Sequence, residues 1–441
     1  MLKVGYYHII KIAIPVMLGT FIQNIVMITD AILVNKLGTV PFDAVNNAGL
    51  LYVIFFMLNK GLGDGTQIQI AKEYGQNNLN KINNTLNHSF IIQLFLSVIF
   101  IIFLIAITPV FTSNFVNDID IAQAMNRFID YRAFGLVFAG IQVSIIAFFI
   151  GIGKTKIIIF SALFLALINI FLDFGLIFGY FGFPEMGYVG AALASTIAEA
   201  LTCIGLFIYL IKNKHLDIIR IKWIKKPEFT KIKALLKLSS PLMLGGFLSI
   251  ATWFVFFSFI EQQSKFDLEV SHVVRNLFFI SFIPIFGFGA TTRTYVAYFI
   301  GKKDIVLAKK SMLIILKLSA GFYLLFFHGA IFYPKLLASL ITDSPETINK
   351  AAEILQLIFG SMFLFALVAI FYNSITAIGK TKQALYIEII AITIYLIYAY
   401  QVTIKWNWDI FYVWTVEYIY FGILGLLSIL YLWYYNRNQI I

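Results

Sequence analysis

Charge is what this 441-residue chain has least of: 12% of its residues are Asp, Glu, Lys or Arg, about half the share of an ordinary soluble domain. A fold so poor in charge has too little polar surface to meet water on all sides, so lipid must be the solvent for most of it. One cysteine, Cys203, excludes an intrachain disulfide and a thiolate metal site. The five histidines (His8, His88, His215, His272 and His328) show no HExxH or ligand-pair spacing. No Ser/His/Asp or Cys/His set stands out, so the expectation is a protein that is not an enzyme and carries no cofactor. The net charge of +11 raises nucleic acid as a partner, but that needs cations gathered on one face or arm. Here they fall in short segments between apolar runs, the pattern of membrane topology. No nucleic-acid partner is expected.

What is abundant is apolar length. Runs near 20 residues, enough to cross ~30 Å of hydrocarbon, place about twelve spans at 9–35, 44–71, 86–110, 125–150, 157–180, 188–211, 235–261, 270–300, 311–337, 349–377, 383–404 and 411–434. They are long and non-alternating, which predicts an all-α membrane protein and not a barrel. The first run lacks a short apolar core and small-residue cleavage site, so it reads as a retained span.

Loop charges orient the bundle. Lys72 and Lys81, Lys154 and Lys156, the cluster from Lys212 to Lys233, Lys302 to Lys310, and Lys380 and Lys382 fall in one set of loops. Loops 111–122 and 181–187, in the alternate set, carry no Lys or Arg. The positive-inside rule puts the first set and both termini (Lys3, Arg437) in the cytoplasm, predicting a multi-pass protein of a bacterial inner membrane.

An internal offset of 226 residues organises the chain. IIKIAIPVMLG (9–19) matches LLKLSSPLMLG (235–245), setting Pro15 opposite Pro241. The same register pairs Asp43 with Glu269, Gly63 with Gly289, Gly75 with Gly301, and IGKTK at 152–156 with its copy at 378–382. This predicts two six-helix lobes, 1–211 and 235–441, joined by a basic cytoplasmic linker, 212–234. An even number of spans per half makes the repeats parallel, an architecture of alternating-access carriers. One chain holds both halves, so a monomer is expected.

Two motifs mislead. IGKTK lacks the first glycine of a P-loop, since Phe148 and Ser374 stand where it belongs; a helix-connecting turn is the better account. GLGDG (61–65) lies within a span, where glycines permit close helix approach.

Ionisable groups at membrane depth are costly and mark function. Asp30 lies late in the first span, with Gln23 two turns earlier and Asn24 beside it. Asn169 and Asp173 stand at i and i+4 in the fifth span, adjacent on one face, and Thr196 and Glu199 occupy the sixth. Carboxylates with amide neighbours suit a proton or a hard cation such as Na⁺, so Asp30, Asp173, Asn169 and Thr196 are the cation-coupling candidates. A structural role, as caps or interhelix hydrogen-bond partners, is the alternative for each. Gln23, Asn24, Asn47 and Gln142 are candidates for lining a substrate cavity. In the second half Asp30 maps to Phe256 and Asp173 to Ala399, so the duplicated site is lost. Glu261, Arg275, Glu388 and Glu417 are its polar candidates, with Arg275 and Glu261 expected to pair; Arg293 is also notable.

These residues resemble the multidrug and toxic compound extrusion (MATE) family along nearly the whole chain. The segments that carry the resemblance are IPVMLGTFIQNIVMITDAILVNKLG (13–38), GLGDGTQIQIAKEYGQNN (61–78), IGKTKIIIFSALFLALINIFLDFGLIFG (152–179) and GYVGAALASTIAE (187–199). The resemblance implies a V-shaped two-lobe bundle, coupling through Asp30 with Asn169, Asp173 and Thr196 around it, and a conformational role for Pro15. The Na⁺-coupled branch carries a glutamate in the middle of the seventh span. Here that region reads GGFLSIATWFVFF with Glu261 only at its end, which favours similarity to the damage-inducible-F-like branch. The implied function is H⁺- or Na⁺-coupled antiport exporting organic, cationic or amphipathic, solutes by alternating access. A flippase for a lipid-linked saccharide, from the same superfamily, is the alternative.

Overall fold

The computed structural model describes residues 2–212 and 226–438. Most of the expected basic linker therefore lies outside the described residues. Every regular element among them is helical, as expected from a backbone that must satisfy itself away from water. Among the described residues eleven helices are long and apolar enough to cross a membrane, and one bent pair, counted as one span, makes twelve. Helices α1 (Tyr6–Asn35), α2 (Thr39–Gly75) and α3 (Leu79–Phe115) form the first three spans. The fourth is α4 (Ile119–Arg132) and α5 (Gly135–Gly151), bent by 49° where they meet. Helices α6 (Lys156–Phe178) and α7 (Tyr188–Lys212) complete the first half.

The second half contains α8 (Phe229–Gln263), α9 (Lys265–Gly301), α10 (Ile305–Phe327), the short α11 (Gly329–Phe332) and α12 (Pro334–Ser339), then α13 (Pro345–Ala377), α14 (Thr381–Tyr400), α15 (Ile410–Val413) and α16 (Val416–Asn438). A π-helical turn, Gln401–Lys405, continues α14. The 226-residue offset recurs in these boundaries. The first and last residues of α2 and α9, the starts of α3 and α10, and the ends of α5 and α13 are each that far apart. The halves differ in which span they break. The first interrupts its fourth span at residues 133–134 where α13 runs on, and the second ends α10 near His328 where α3 runs on through Pro109.

Packing divides the chain into two compact units, Ile14–Met243 and Met1–Ala13 with Leu244–Ile441. Each junction falls within three residues of a repeat-related proline, Pro15 or Pro241. In the first unit Ala44, Ala48 and Tyr52 of α2 meet Leu104 of α3, Met125 of α4, Leu136 of α5 and Ala192 of α7 in one core cluster. The start of α8 packs there too, Leu235 lying with Leu62 and Ile92. In the second unit Phe256, Phe257 and Phe278 ring the indole of Trp414, and Tyr395 meets Phe256 edge-on. The Tyr295 hydroxyl donates to the carbonyl of Lys3, binding the N-terminal segment to α9.

The glycine run of α2 serves close approach, as its position in a span suggests. A Cβ on Gly61 would lie 2.5 Å from Met243 Cα, and one on Gly65 would lie 2.0 Å from Ser239 Oγ. Both IGKTK copies are helix-connecting turns, with Gly153 and Gly379 at φ +73° and +83°, a conformation glycine adopts freely. Gly61→Ala should therefore cost about 1–3 kcal/mol by overpacking against backbone. Gly49→Ala on the same helix, where a Cβ meets nothing within 4 Å, should be neutral or stabilising. Thermal unfolding of the two purified variants checks the contrast.

Candidate functional site

The first unit gathers its polar groups on one turn of α7. Ser195, Thr196 and Glu199 sit within a single turn, with 195 and 199 stacked on the same face. Ser195 Oγ donates to Asp30 Oδ2 of α1 at 3.4 Å and accepts from Asn169 Nδ2 of α6 at 3.4 Å. Asp173, one turn beyond Asn169, is fully buried, and its carboxyl group lies within hydrogen-bond reach of Asp30. As carboxylates neither supplies a hydrogen. Asp30 Oδ1, Asn169 Oδ1 and both carboxylate oxygens of Asp173 are buried acceptors without a donor. Four such oxygens in one place are expensive unless a proton or a cation joins them. Carboxylate and amide oxygens are the ligands a hard cation takes, so the donor set fits either.

Thr196 points elsewhere. Its hydroxyl donates to the carbonyl of Tyr131 at 3.2 Å, in the last turn of α4, where the bend removes helical partners. The sequence-expected quartet is thus a trio, Asp30, Asn169 and Asp173, joined by Ser195 in place of Thr196. One residue along a helix is a turn of about 100°, and the polar stretch STIAE alone does not say which hydroxyl faces α1.

Glu199 carries a group that sequence reasoning missed. Arg132, the last residue of α4, donates from Nη1 and Nη2 to the two Glu199 oxygens at 2.8 and 2.6 Å, a bidentate pair. Its guanidinium lies 3.7 Å over the Tyr52 ring, and the Tyr52 hydroxyl donates to Glu199 Oε2 at 3.2 Å. Gly135 clears the space, since a Cβ there would meet Arg132 Nη1 at 2.1 Å and Glu199 Oε2 at 2.3 Å. The pair is nearly closed from solvent, with side chains 13% and 14% exposed. Arg132 falls inside the apolar window 125–150, and the cost of charge at that depth was the signal that could have found it.

The substrate-cavity candidates separate by burial. Gln142 is buried and donates to the carbonyl of Glu199 at 2.7 Å. Gln23 and Asn47 are exposed and Asn24 is half-buried. Pro15 is buried within α1.

In the second unit Glu388 is buried, accepting from Ser249 Oγ at 2.7 Å and from the Tyr372 hydroxyl at 2.6 Å. Glu417, also buried, accepts from the Tyr395 hydroxyl at 3.3 Å. Arg293 Nη1 donates to Asn373 Oδ1 at 2.6 Å. The expected pairing of Arg275 with Glu261 is not formed. Glu261 is exposed at the end of α8, and Arg275 lies 4.8 Å over the Phe257 ring, because its helix position turns it toward the aromatic cluster. Among the described residues no group of three or more His, Cys, Asp or Glu could hold a metal ion; Asp30 and Asp173 are two carboxylates completed by an amide and a hydroxyl.

Comparison with known proteins bears on this arrangement. The family model MatE matches residues 15–174 and 241–401, two stretches whose starts are 226 residues apart. The chain is 25% identical over 397 residues to a probable multidrug resistance protein NorM of Thermotoga maritima, spanning 87% of this chain and 82% of that one. It is 24% identical over 393 residues to a probable multidrug resistance protein YoeA of Bacillus subtilis, spanning 86% and 82%. Its fold matches an outward-facing multidrug resistance MATE family transporter of the MOP superfamily at TM-score 0.89 and 19% identity, covering 97% and 95% of the two chains. Another structure, titled MATE in the bent conformation, matches at TM-score 0.86 with 19% identity, covering 98% and 95%. Two matches of one family model across most of the chain, on a twelve-span helical bundle, place this protein in the MATE family of multi-pass membrane transporters.

Proposed function

We propose that this transporter exports organic, cationic or amphipathic, compounds in exchange for H⁺ or Na⁺ taken up at Asp30 and Asp173. The observation that carries the reading is the set of four donorless buried oxygens on Asp30, Asn169 and Asp173. Two facing carboxylates cannot both hold full charge in an apolar surround, so arrival of a cation changes how strongly α1 and α6 attract one another. Ser195 ties that change to α7. Bound cation draws Asp30 and Asp173 together; its release leaves like charges that separate the helices carrying them. An alternating-access cycle follows when one arrangement admits substrate from inside and the other releases it outside. Pro15, in the same helix as Asp30, removes one backbone hydrogen bond and gives α1 a place to bend.

The driving force is adequate. One inward elementary charge yields ~2.3 kcal/mol per 100 mV, and a tenfold proton gradient adds about 1.4 kcal/mol. One cation per cycle for an uncharged substrate, or two for a monovalent cationic one, can hold a roughly hundredfold substrate gradient, worth about 2.7 kcal/mol, with no nucleotide consumed. The relatives' names, multidrug resistance proteins, support small organic substrates. The loop charges support a cytoplasmic position for both termini in a bacterial inner membrane, and the exposed Gln23 and Asn47 together with Asn24 are the polar groups we assign to substrate. The chain acts as a monomer in this reading, since both repeats lie in one polypeptide.

Efflux of a fluorescent organic cation from energised, pump-deficient cells tests the assignment. Asp30→Asn should abolish export at unchanged membrane abundance, and wild-type export by that variant would refute the assignment. Withdrawing Na⁺ identifies the ion: export that persists in Na⁺-free medium and collapses with a protonophore means H⁺. Asp173→Asn should likewise uncouple export from the gradient while retaining substrate binding, read as ligand-induced quenching of the purified protein.

A further inference from the structure

Arg132 and Glu199 touch neither Asp30 nor Asp173 through a hydrogen bond, yet Glu199 shares a turn of α7 with Ser195, which bonds Asp30. Within α7, Ser195 holds α1 and α6, Thr196 holds the freed carbonyl of Tyr131 on α4, and Glu199 holds α4 through Arg132 and α2 through Tyr52. The Glu199 carbonyl holds α5 through Gln142. Five helices therefore converge on five residues. The two bonds of Ser195 are each 3.4 Å long, near the outer limit of a hydrogen bond. The two bonds of the ion pair are short, 2.8 and 2.6 Å, and bidentate, a geometry that fixes orientation as well as distance. Residues 195 and 199 lie one above the other on α7, so the short, stiff pair sets the rotation of the helix for the long, weak contacts one turn away.

We propose that Arg132 and Glu199 are positioning residues of the coupling site: their ion pair, seated in the bend of the fourth span, holds α7 in the rotation that presents Ser195 to Asp30. The inference rests on the coupling role of Asp30 and adds how that role is supported. It also gives the bend a purpose. Ending α4 at Arg132 points the guanidinium across to α7, and Gly135 leaves room for it. The second half has no equivalent, because α13 passes the matching positions without interruption.

The test is gradient-driven transport of a fluorescent organic cation in proteoliposomes, measuring the driving-cation concentration for half-maximal rate (K0.5) and the maximal rate separately. Ser195→Ala should shift K0.5 about fivefold, the size of one lost hydrogen bond, and downward where the driving ion is H⁺, because the donated bond stabilises the Asp30 carboxylate over its protonated form. Arg132→Lys, which keeps the charge and loses the fork, should shift it in the same direction by a similar factor, as should Glu199→Gln. Should Glu199→Gln fail to accumulate, Arg132→Lys carries the test. The variant Ser195→Ala/Arg132→Lys should shift K0.5 no further than either single change, since both act through one contact. Shifts that multiply, to about 25-fold in the double variant, would overturn the proposal. So would a wild-type K0.5 in Arg132→Lys with only the maximal rate or the thermal stability reduced, which would leave the pair as a clamp on the bend. Asp30→Asn measured alongside separates the two levels. If it loses driven transport while Arg132→Lys and Ser195→Ala keep a wild-type K0.5, only this inference fails; if it retains wild-type coupling, the reading beneath it fails as well.

Discussion

Hydrocarbon offers a polypeptide no hydrogen-bonding partner, and a backbone that crosses it has to bring its own. Uninterrupted helices meet that demand at no cost to side chains, and ten of the spans here do so for most of their length. A span that breaks partway exposes carbonyls and amides that must be answered from neighbouring helices. In the first unit the break between α4 and α5 is answered by Thr196 at the carbonyl of Tyr131 in the last turn of α4, while Asn59 and Ser97 add hydrogen bonds to the carbonyl of Leu136 at the start of α5. The polar groups recruited to repair the backbone bring α7 into register with α4 and α5. The same turn of α7 carries the hydroxyl between Asp30 and Asn169, so a repair of local chemistry also builds the environment of the carboxylates.

Two kinds of buried charge coexist in this unit, and their difference is chemical. Arg132 and Glu199 satisfy one another through two short bonds, with the Tyr52 ring and hydroxyl completing the shell. Such a pair is neutral as a unit and has little reason to change state. Asp30 and Asp173 have the opposite character, two like groups with a shortage of donors. One arrangement is closed and the other keeps donorless oxygens, and α7 links them, since Ser195 reaches Asp30 one turn from Glu199. In the second unit Glu388 and Glu417 are met by hydroxyls from Ser249, Tyr372 and Tyr395, an intermediate case in which each acid has donors and no charged partner.

The sequence carried the scaffold well because hydrocarbon thickness fixes span length and because a duplicated gene leaves its register. All twelve expected spans correspond to helices, and helix boundaries repeat at the offset read from IGKTK and the Pro15 and Pro241 segments. Asp30, Asn169 and Asp173 were legible because charge at depth needs a reason, and i, i+4 spacing put two of them on one face. Ser195 was not, since choosing between adjacent hydroxyls needs the rotation of α7. Arg132 was hidden by the bend, which composition does not mark. The expected contact of Arg275 with Glu261 failed for a similar reason: opposite charges near the same ends of two spans say nothing of which way the helices turn, and an aromatic face took the guanidinium instead.

The repeat boundary and the packing boundary do not coincide. The repeat boundary expected from the sequence lies in 212–234, whereas compactness divides the chain at Ala13 and Met243, beside Pro15 and Pro241. Each half of the gene therefore encodes a short helical start that folds with the other half's spans. A polypeptide made from one half alone would hold an opening segment with nothing to pack on and lack the segment its own spans receive. Splitting such a transporter into separately expressed halves at the linker thus yields fragments that must complement each other, while a cut beside either proline severs the chain where its packing already changes hands.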